Sequence, residues 1–273
     1  MKKRVTTLII IAAVFLTAAV VYAGYAAHML LDEPVFLTHY YDIPRFGSGR
    51  MIDLDYITNK NDNRSVTDVM FPESPDLPVS LNIDSDYNTF FYHKTRHVYV
   101  RSELPYDEEF PLTMLTTMRV TFSDGTENDF DIGKIIVGNK PDGSEYIRSM
   151  SSGASNMGEA SEEFLVLKDC RLMDITNDFT EDIGTRIDIK INGADYTLPM
   201  ELHQGDTVAF NSALDINDEN VYNAYAIDST LTFEDSEGNI FYGSLLNLSY
   251  APTFAQSFTS YGLNEYLKRR GLI

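Results

Sequence analysis

The predicted fold rests most firmly on residues 187 to 200, which read IDIKINGADYTLPM. Apolar residues occupy alternate positions on both sides of the Asn192-Gly193 pair, as expected where every second side chain of a strand faces a core. These apolar residues are Ile187, Ile189, Ile191, Tyr196, Leu198 and Met200. Asn-Gly supplies the two positive-φ residues of a type I′ turn, whose twist matches that of antiparallel strands. We therefore predict a β-hairpin in this stretch.

A second hairpin is predicted in the first half of the chain. Residues 116–123 alternate between apolar and polar, Asp124-Gly125 follows, and residues 130–137 supply the return strand. An earlier strand at residues 50–57 alternates in the same way. Half-buried strands joined by such turns are typical of antiparallel sheets. The fold class we predict is mainly β: an antiparallel sandwich body, either one large sandwich or two tandem Ig-like sandwiches.

Two short sequence echoes suggest that the halves repeat each other. Residues 56–59 read YITN and residues 174–177 read DITN, while VTF at 120–122 is matched by LTF at 231–233. Each pair places similar residues at similar positions in the two halves, as tandem sandwiches would. Thr-rich strands and Asx turns also recur by chance, so a single large sandwich stays the alternative.

Six segments follow from composition. We expect a signal-anchor or transmembrane segment at residues 1–31, a stalk at 32–49 and a first β domain or half at 50–137. A Ser- and Gly-rich linker or loop is expected at 138–163, because it is short of large apolar residues. A second β domain or half at 164–258 and a short C-terminal helix at 259–273 complete the chain. In the stalk, Gly47-Ser48-Gly49 is a flexible turn, and Tyr40-Tyr41 belongs either to a membrane interface or to a first strand.

The N-terminal segment carries no charged residue from Val5 to Leu31 and follows Lys2, Lys3 and Arg4. About 20 apolar residues suffice to cross a bilayer, and the basic flank favours a cytoplasmic N-terminus. We predict a single-pass protein of the cell membrane whose body is extracytoplasmic. The alternative is a signal peptide cleaved after Ala23, which would leave the body secreted.

The C-terminal helix is predicted from an apolar face and from its ends. Ser260 is a suitable N-cap, residues 268–270 are Lys-Arg-Arg at the negative end of the helix dipole, and Gly271 can adopt the left-handed conformation that ends a helix. A solvated helix end explains the basic run better than a docking patch does.

The charge of the chain limits its partners. The formal net charge is −20, and without the three basic residues at the start the body has 18 Lys and Arg against 41 Asp and Glu, a balance of −23. Such a body repels phosphate backbones, so no nucleic acid is expected as a partner. The membrane, through the N-terminal helix, and another envelope protein are the partners that we expect.

Motifs for catalysis are absent from the sequence. It contains no Gly-x-Ser-x-Gly elbow, no phosphate-binding glycine loop and no His-Glu-x-x-His pair. Cys170 is the only cysteine, which precludes an internal disulfide, and its apolar neighbourhood indicates a packed thiol. His93 and His97 have the spacing of two ligands on one strand face, but no companion ligand stands nearby in sequence, so two surface histidines are expected. The chain is therefore not expected to be an enzyme.

Metal binding is considered for the acidic clusters. Asp84, Asp86 and Asn88 offer oxygens at alternate positions, like the start of a calcium loop, but Thr89 and Thr95 stand where the EF-hand pattern requires Gly and Glu. Further acidic groups occur at residues 178–182 and 215–219. Calcium is thus the one cofactor that the sequence suggests, and none is required.

The leading functional hypothesis is a membrane-tethered extracytoplasmic interaction module of the cell envelope. It would be non-catalytic, and an accessory subunit of a membrane complex is one form that it could take. Motif poverty and fixed placement motivate this hypothesis. An exported hydrolase with a carboxylate-based site is the first alternative, because such sites are assembled from distant loops. A calcium-stabilised adhesive module is the second.

Overall fold

The computed structural model describes residues 2–44, 50–103, 110–138, 146–183, 186–217, 220–252 and 259–273. It is mostly β, with antiparallel sheets, an N-terminal apolar helix and a short C-terminal helix. The helices are α1 (Lys2–His28), α2 (Thr180–Ile183) and α3 (Ser260–Arg269). The strands of the first half are β1 (Val35–Phe36), β2 (His39–Pro44), β3 (Met51–Asn59), β4 (Val66–Met70), β5 (Val79–Thr89), β6 (His93–Ser102), β7 (Thr113–Phe122) and β8 (Glu127–Gly138).

The second half contains eight further strands within the described residues. They are β9 (Ile147–Ser155), β10 (Glu159–Val166), β11 (Cys170–Thr176), β12 (Ile187–Ile191), β13 (Met200–Leu202), β14 (Thr207–Leu214), β15 (Ala224–Glu234) and β16 (Ile240–Tyr250). The linker or loop predicted at 138–163 is therefore wrong where it overlaps β9 and β10, while residues 139–145 lie outside the described residues. Small polar residues can form strands here because β10 and β14 supply the pairing partners.

Two β-sandwiches share one strand order. In the first, the sheet β1-β3-β6-β5 packs on the sheet β2-β8-β7-β4, and Leu54 and Val98 of one sheet meet Met118 and Ile132 of the other in one core. In the second, β9-β10-β14-β12 packs on β16-β15-β11-β13. The order is that of an Ig-like sandwich. Strands β3, β6, β7 and β8 thus correspond to β10, β14, β15 and β16.

Strand β2 joins the two sandwiches into a continuous sheet. It runs parallel to β8 on one side and, over His39 to Tyr41, parallel to the start of β15 on the other. Gly133 makes the close approach to β8 possible: its φ is +88°, and a Cβ atom there would lie 2.3 Å from the carbonyl oxygen of His39. The stalk predicted at 32–49 is therefore wrong where β1 and β2 lie, and Tyr40-Tyr41 belongs to a strand. Residues 45–49, including Gly47-Ser48-Gly49, lie outside the described residues.

The two predicted hairpins differ in outcome. The first is present, because β7 pairs with β8 across a turn in which Gly125 has a φ of +83°. In the second, Asn192 and Gly193 do adopt positive φ, and Ile191 pairs with Ala194. The return strand then leaves: β12 pairs with β14, and β13 pairs with β11. The hairpin prediction was thus right for the turn and wrong for the pairing.

One sequence echo follows the strand order and the other does not. Residues 120–122 and 231–233 lie on β7 and β15, which occupy equivalent places in the two sandwiches. Residues 56–59 end β3, whereas residues 174–176 end β11, which corresponds to β4, and Asn177 follows that strand.

Helix α1 contains a span, Ile10–His28, that is long and apolar enough to cross a membrane, with a mean hydropathy of 2.1. The predicted membrane run extended to Leu31, but the chain enters the body earlier. Met29 and Leu31 are buried, and the Leu31 backbone exchanges two hydrogen bonds with the Asn59 side chain.

Helix α3 covers part of the outer face of the first sandwich. Leu263 and Leu267 pack with Ile57 and Leu31. The N-cap is Thr259, whose hydroxyl accepts a hydrogen bond from the Gly262 backbone, rather than Ser260 as predicted.

Candidate functional site

The candidate site is an open cavity of about 850 Å³ where the two sandwiches meet. Its walls come from β2, the start of β3, β10, β15 and β16. Four carboxylates line it together with Arg50 as a cation. The four are Asp42, Asp53, Glu162 and Asp228. They come from four strands spread between residues 42 and 228, so no local sequence motif predicts the group.

The carboxylates sit on rigid and largely buried backbone. Asp42 lies on β2, between β8 and β15, and is 2% exposed. Asp228 lies on β15 at a register shift against β16, and its carboxylate accepts a hydrogen bond from the Ser244 hydroxyl at 3.3 Å. Glu162 points inward from β10 and is 9% exposed. Strands hold such groups more precisely than loops do.

Asp53 connects this cavity to an ion cluster on the outer face of the first sandwich. Asp53 and Asp55 point outward from β3, and His97 on β6 is the direct cross-strand partner of Asp55. The His97 Nδ1 atom lies 3.3 Å from Asp53 Oδ1 and closer still to Asp55 Oδ1. Burial disfavours the charged imidazole, but the two carboxylates outweigh it and raise the pKa of His97 to about 10.

Aromatic rings and His39 surround the cluster. The Tyr87 ring meets the His97 ring edge-on, with centroids 4.5 Å apart. His39, fully buried, accepts a hydrogen bond at Nε2 from the Asp55 backbone and donates from Nδ1 to the Ile132 carbonyl. Burial lowers the pKa of His39, although Asp55 opposes this. His39 thus connects β3 to β8 behind the cluster.

The predicted surface histidines are therefore buried, and they do not act together. His93 is 1% exposed, and its Nε2 bonds the carbonyl of Met29, while His97 is 8% exposed and faces the two aspartates. The companion residues that the sequence did not reveal are Asp53 and Asp55 on the neighbouring strand β3, more than 40 residues before His97. The alternation of Asp53 and Asp55 with apolar residues on a strand was the available signal.

The predicted calcium candidates are not brought together as a loop. Asp84, Asp86 and Asn88 lie along the strand β5. The Arg96 guanidinium binds both Asp84, at 3.3 Å, and Asp86, at 2.9 Å, and Lys94 lies 3.1 Å from Asp86. Protein cations thus pair with both carboxylates.

The remaining candidates are accounted for locally. The Asp182 carboxylate binds Lys134 at 2.7 Å, and Asp218 and Glu219 lie outside the described residues. Cys170 is buried, and burial with the nearby Asp169 raises the pKa of its thiol to about 11. A protonated, packed thiol is the expected structural role.

Comparisons with known proteins identify no family for this chain. No protein-family model matches the sequence, and no curated protein matches it. The structure is similar to that of a protein of unknown function from Porphyromonas gingivalis W83, with 11% identity, a TM-score of 0.27 and coverage of 80% of this chain and 98% of that one. It is also similar to the Pseudomonas aeruginosa CupB2 chaperone (7% identity, TM-score 0.21, 75% and 95% covered). A third is the S. aureus collagen adhesin CNA (7% identity, TM-score 0.18, 80% and 93% covered).

Proposed function

We propose that the protein is a single-pass, membrane-tethered interaction module whose two sandwiches lie on the extracytoplasmic side. The observation that carries the proposal is the contrast along α1. Its apolar side chains are exposed, with Phe15 at 71%, Leu16 at 68% and Val20 at 65%, whereas the residues directly after it are buried in the body. An exposed apolar surface of this length requires a nonpolar surrounding, which a bilayer supplies.

The length of the helix fits a bilayer between two markers. From Arg4 to Tyr25 the helix rises roughly 31 Å, close to the thickness of a hydrocarbon core. Basic residues at one end and tyrosines at the other are typical of the two membrane interfaces. Lys2 and Lys3 precede Arg4 and favour a cytoplasmic N-terminus.

The body presents an aromatic surface beside the tyrosine end of α1. The Tyr25 and Tyr92 rings meet edge-on with centroids 6.1 Å apart, and Phe91 is 62% exposed. Tyr261 of α3 is 77% exposed. We call these four residues, with Lys268, the membrane-proximal surface. The hydrogen bond that the Lys268 ammonium group donates to Glu265 raises the pKa of Lys268 most, and Tyr25 and Tyr261 raise it further.

This surface supports a body seated on the bilayer rather than held away by a stalk. Tyrosine rings and lysine side chains favour the headgroup region, where the ring is partly buried and the polar group stays hydrated. The hydrogen bonds of Asn59 with Leu31 and of His93 with Met29 then fix the orientation of the body. These contacts follow Ala23, so they would also survive cleavage after that residue.

A fixed orientation presents the acidic remainder of the body to partners. With a charge of −23 on the body, a cationic surface of another envelope protein is the complementary partner, and nucleic acid is not.

The seating of the body can be tested with single tryptophans, because the chain has none. Phe91→Trp in liposome-reconstituted protein should show blue-shifted emission and strong quenching by brominated lipids. Tyr242→Trp is the matched control. Tyr242 is 40% exposed and pairs with Thr232. Thr232 lies eight residues, or roughly 26 Å, along β15 from Ala224. The Ala224 backbone donates a hydrogen bond to Thr38, at the end of the body that follows α1. The emission of Tyr242→Trp should not be quenched.

The membrane tether and the contact of the body with the bilayer are tested separately. Release of the protein from membranes by alkaline carbonate would overturn the tether, whereas an integral Phe91→Trp protein with unquenched emission would overturn the seating alone. Protease added to intact cells should digest the body. Mild detergent extraction should recover a stoichiometric partner, and recovery of the protein alone would contradict the interaction role.

A second candidate function is supported by the cavity itself. Carboxylates from distant strands converge there, as the general acid and base of a hydrolase do. In that case the purified protein should cleave ester, peptide or glycan reporters, and Asp228→Asn should abolish the cleavage. The interaction proposal predicts no cleavage above that of Asp228→Asn.

A further inference from the structure

The ion cluster of Asp53, Asp55 and His97 has the arrangement of a metal site. One donor atom from each residue, the two Oδ1 atoms and Nδ1, lies within 4.8 Å of the other two. Two residues at i and i+2 of β3 and one at the facing position of β6 supply them. Neighbouring strands hold such a trio rigidly, because cross-strand Cβ atoms are separated by only about 5 Å.

The missing hydrogen bonds of the three atoms distinguish the cluster from an ordinary ion pair. All three are buried, and none makes a hydrogen bond of acceptable geometry, although Nδ1 lies close to both carboxylates. Buried polar atoms of native proteins are almost always hydrogen bonded, so three such atoms side by side need another explanation. A divalent cation bound between them would satisfy all three atoms.

The donor chemistry selects the kind of metal. An imidazole nitrogen with carboxylate oxygens suits zinc and similar first-row divalent ions, whereas calcium takes oxygen ligands alone. Two carboxylates and a neutral imidazole carry a charge of −2, which a divalent cation neutralises. The ion cluster is largely buried in the first sandwich, where His97 is 8% and Asp55 5% exposed.

The surroundings supply both support and access. The hydrogen bond from the Asp55 backbone to His39 and the Tyr87 ring against His97 hold two of the ligands in position. Asp53, whose side chain is 48% exposed, lines the cavity between the sandwiches and opens the cluster to solvent. A water molecule from the cavity can therefore complete a four-coordinate site.

We propose that Asp53, Asp55 and His97 bind one divalent transition-metal cation, with Zn²⁺ as the representative ion. The site does not depend on the membrane tether, and it adds a metal to a surface whose role is otherwise recognition.

Zinc binding to the full-length protein in mild detergent tests the proposal. After treatment with EDTA and its removal, titration against a chromophoric zinc chelator should give one Zn²⁺ per chain. His97→Gln should weaken the affinity at least about 100-fold, and Asp53→Asn at least about 10-fold. Co²⁺ should give the visible absorption of a four-coordinate site, which both variants lose.

A matched control exists in the second sandwich. His203 also lies near an aspartate, with Nδ1 3.9 Å from Asp169 Oδ1, but its side chain is 73% exposed. His203→Gln should leave stoichiometry and affinity unchanged. Asp53→Asn guards against misfolding, because Asp53 is the exposed ligand, and its circular dichroism spectrum should match that of the natural chain. No zinc uptake by the natural chain, or equal uptake by all variants, would overturn the site.

Discussion

Strands β6 and β14 occupy the same place in the two sandwiches but differ in what surrounds them. Seven of the first eight residues of β6 are buried on one face or the other, and they include Lys94, Arg96 and His97. In β14 burial alternates, with apolar residues such as Phe210 facing the core and residues such as Asn211 facing solvent. One strand order therefore supports two kinds of sheet.

Part of the difference lies in what covers the outer face. In the first sandwich α3, the end of α1 and Tyr87 cover the outer face of β3 and β6, so outward polar side chains such as His93 and His97 must find partners inside the protein. Arg96 lies instead on the core-facing side of β6, opposite Tyr56 and over its ring. In the second, water solvates the outward side chains of β10 and β14. Buried charge clusters are thus concentrated in the sandwich next to α1, which is also where the metal site is proposed.

The largest effect is expected from removing the cation that β6 buries. Arg96 binds Asp84, whose side chain is only 2% exposed, so Arg96→Met leaves a buried carboxylate without its cation. We expect the free energy of unfolding to fall by about 3–5 kcal/mol. Urea unfolding of the full chain in mild detergent, followed by circular dichroism, measures it.

The matched change in the second sandwich is Arg171→Met. Arg171 binds Glu201 and Glu234 but is 43% exposed, and we expect a loss of about 1 kcal/mol or less. Burial already raises the pKa of Asp84, so the Arg96→Met loss should shrink as the pH falls and Asp84 becomes neutral. Equal losses for the two variants would contradict the comparison.

A smaller effect is expected from pH at His93, where the body meets α1. Burial lowers the pKa of His93 from its ordinary value of 6.5, against the opposing hydrogen bond to Met29. As the pH falls below that value, the unfolded chain takes up a proton that the folded chain refuses, so stability decreases. His93→Gln keeps a donor for the Met29 carbonyl and should reduce the slope by up to one proton, about 1.4 kcal/mol per pH unit.

The pH series needs its own reference. His203→Gln, on an exposed side chain, should leave the slope near that of the natural chain. Because His39 has a pKa lowered in the same way, some acid sensitivity should persist in His93→Gln. A slope unchanged by His93→Gln would mean that His93 is not neutral in the folded protein.

The smallest effect is expected on the solvated face of β14. Asn211 is exposed and pairs with Ser161 and Lys190 on neighbouring strands. Asn211→Thr should change the free energy of unfolding by less than about 0.5 kcal/mol, because Thr suits a strand and no buried partner is lost. A loss of about 2 kcal/mol in the same urea assay would show that this face is covered too.

The strands that sequence reasoning predicted are those whose own residues alternate, such as β3, β7 and β8. Strands β9 and β10 were missed in part because β9 is exposed over most of its length and has no apolar stripe. Its pairing comes from β10, which no local pattern reports. The Asn192-Gly193 turn was predicted correctly because two residues specify it, but the partner of β12 is chosen by β14.

The candidate site was harder to predict for the same reason. His97 was noted, yet its partners Asp53 and Asp55 are brought to it only by the pairing of β3 with β6. Likewise, the calcium candidates Asp84 and Asp86 meet Arg96 only because β5 pairs with β6. Chemistry built across strands is invisible until the register is known.

Strand β2 has a mechanical consequence. It follows α1 and β1 in the chain and pairs lengthwise with both β8 and β15. If a force pulls on the second sandwich while α1 is held in a membrane, it acts parallel to β2. The hydrogen bonds of the β2–β8 and β2–β15 pairs are then loaded in shear and resist the force together rather than breaking one at a time. The strand that joins the two sandwiches would thus also carry the tension between them.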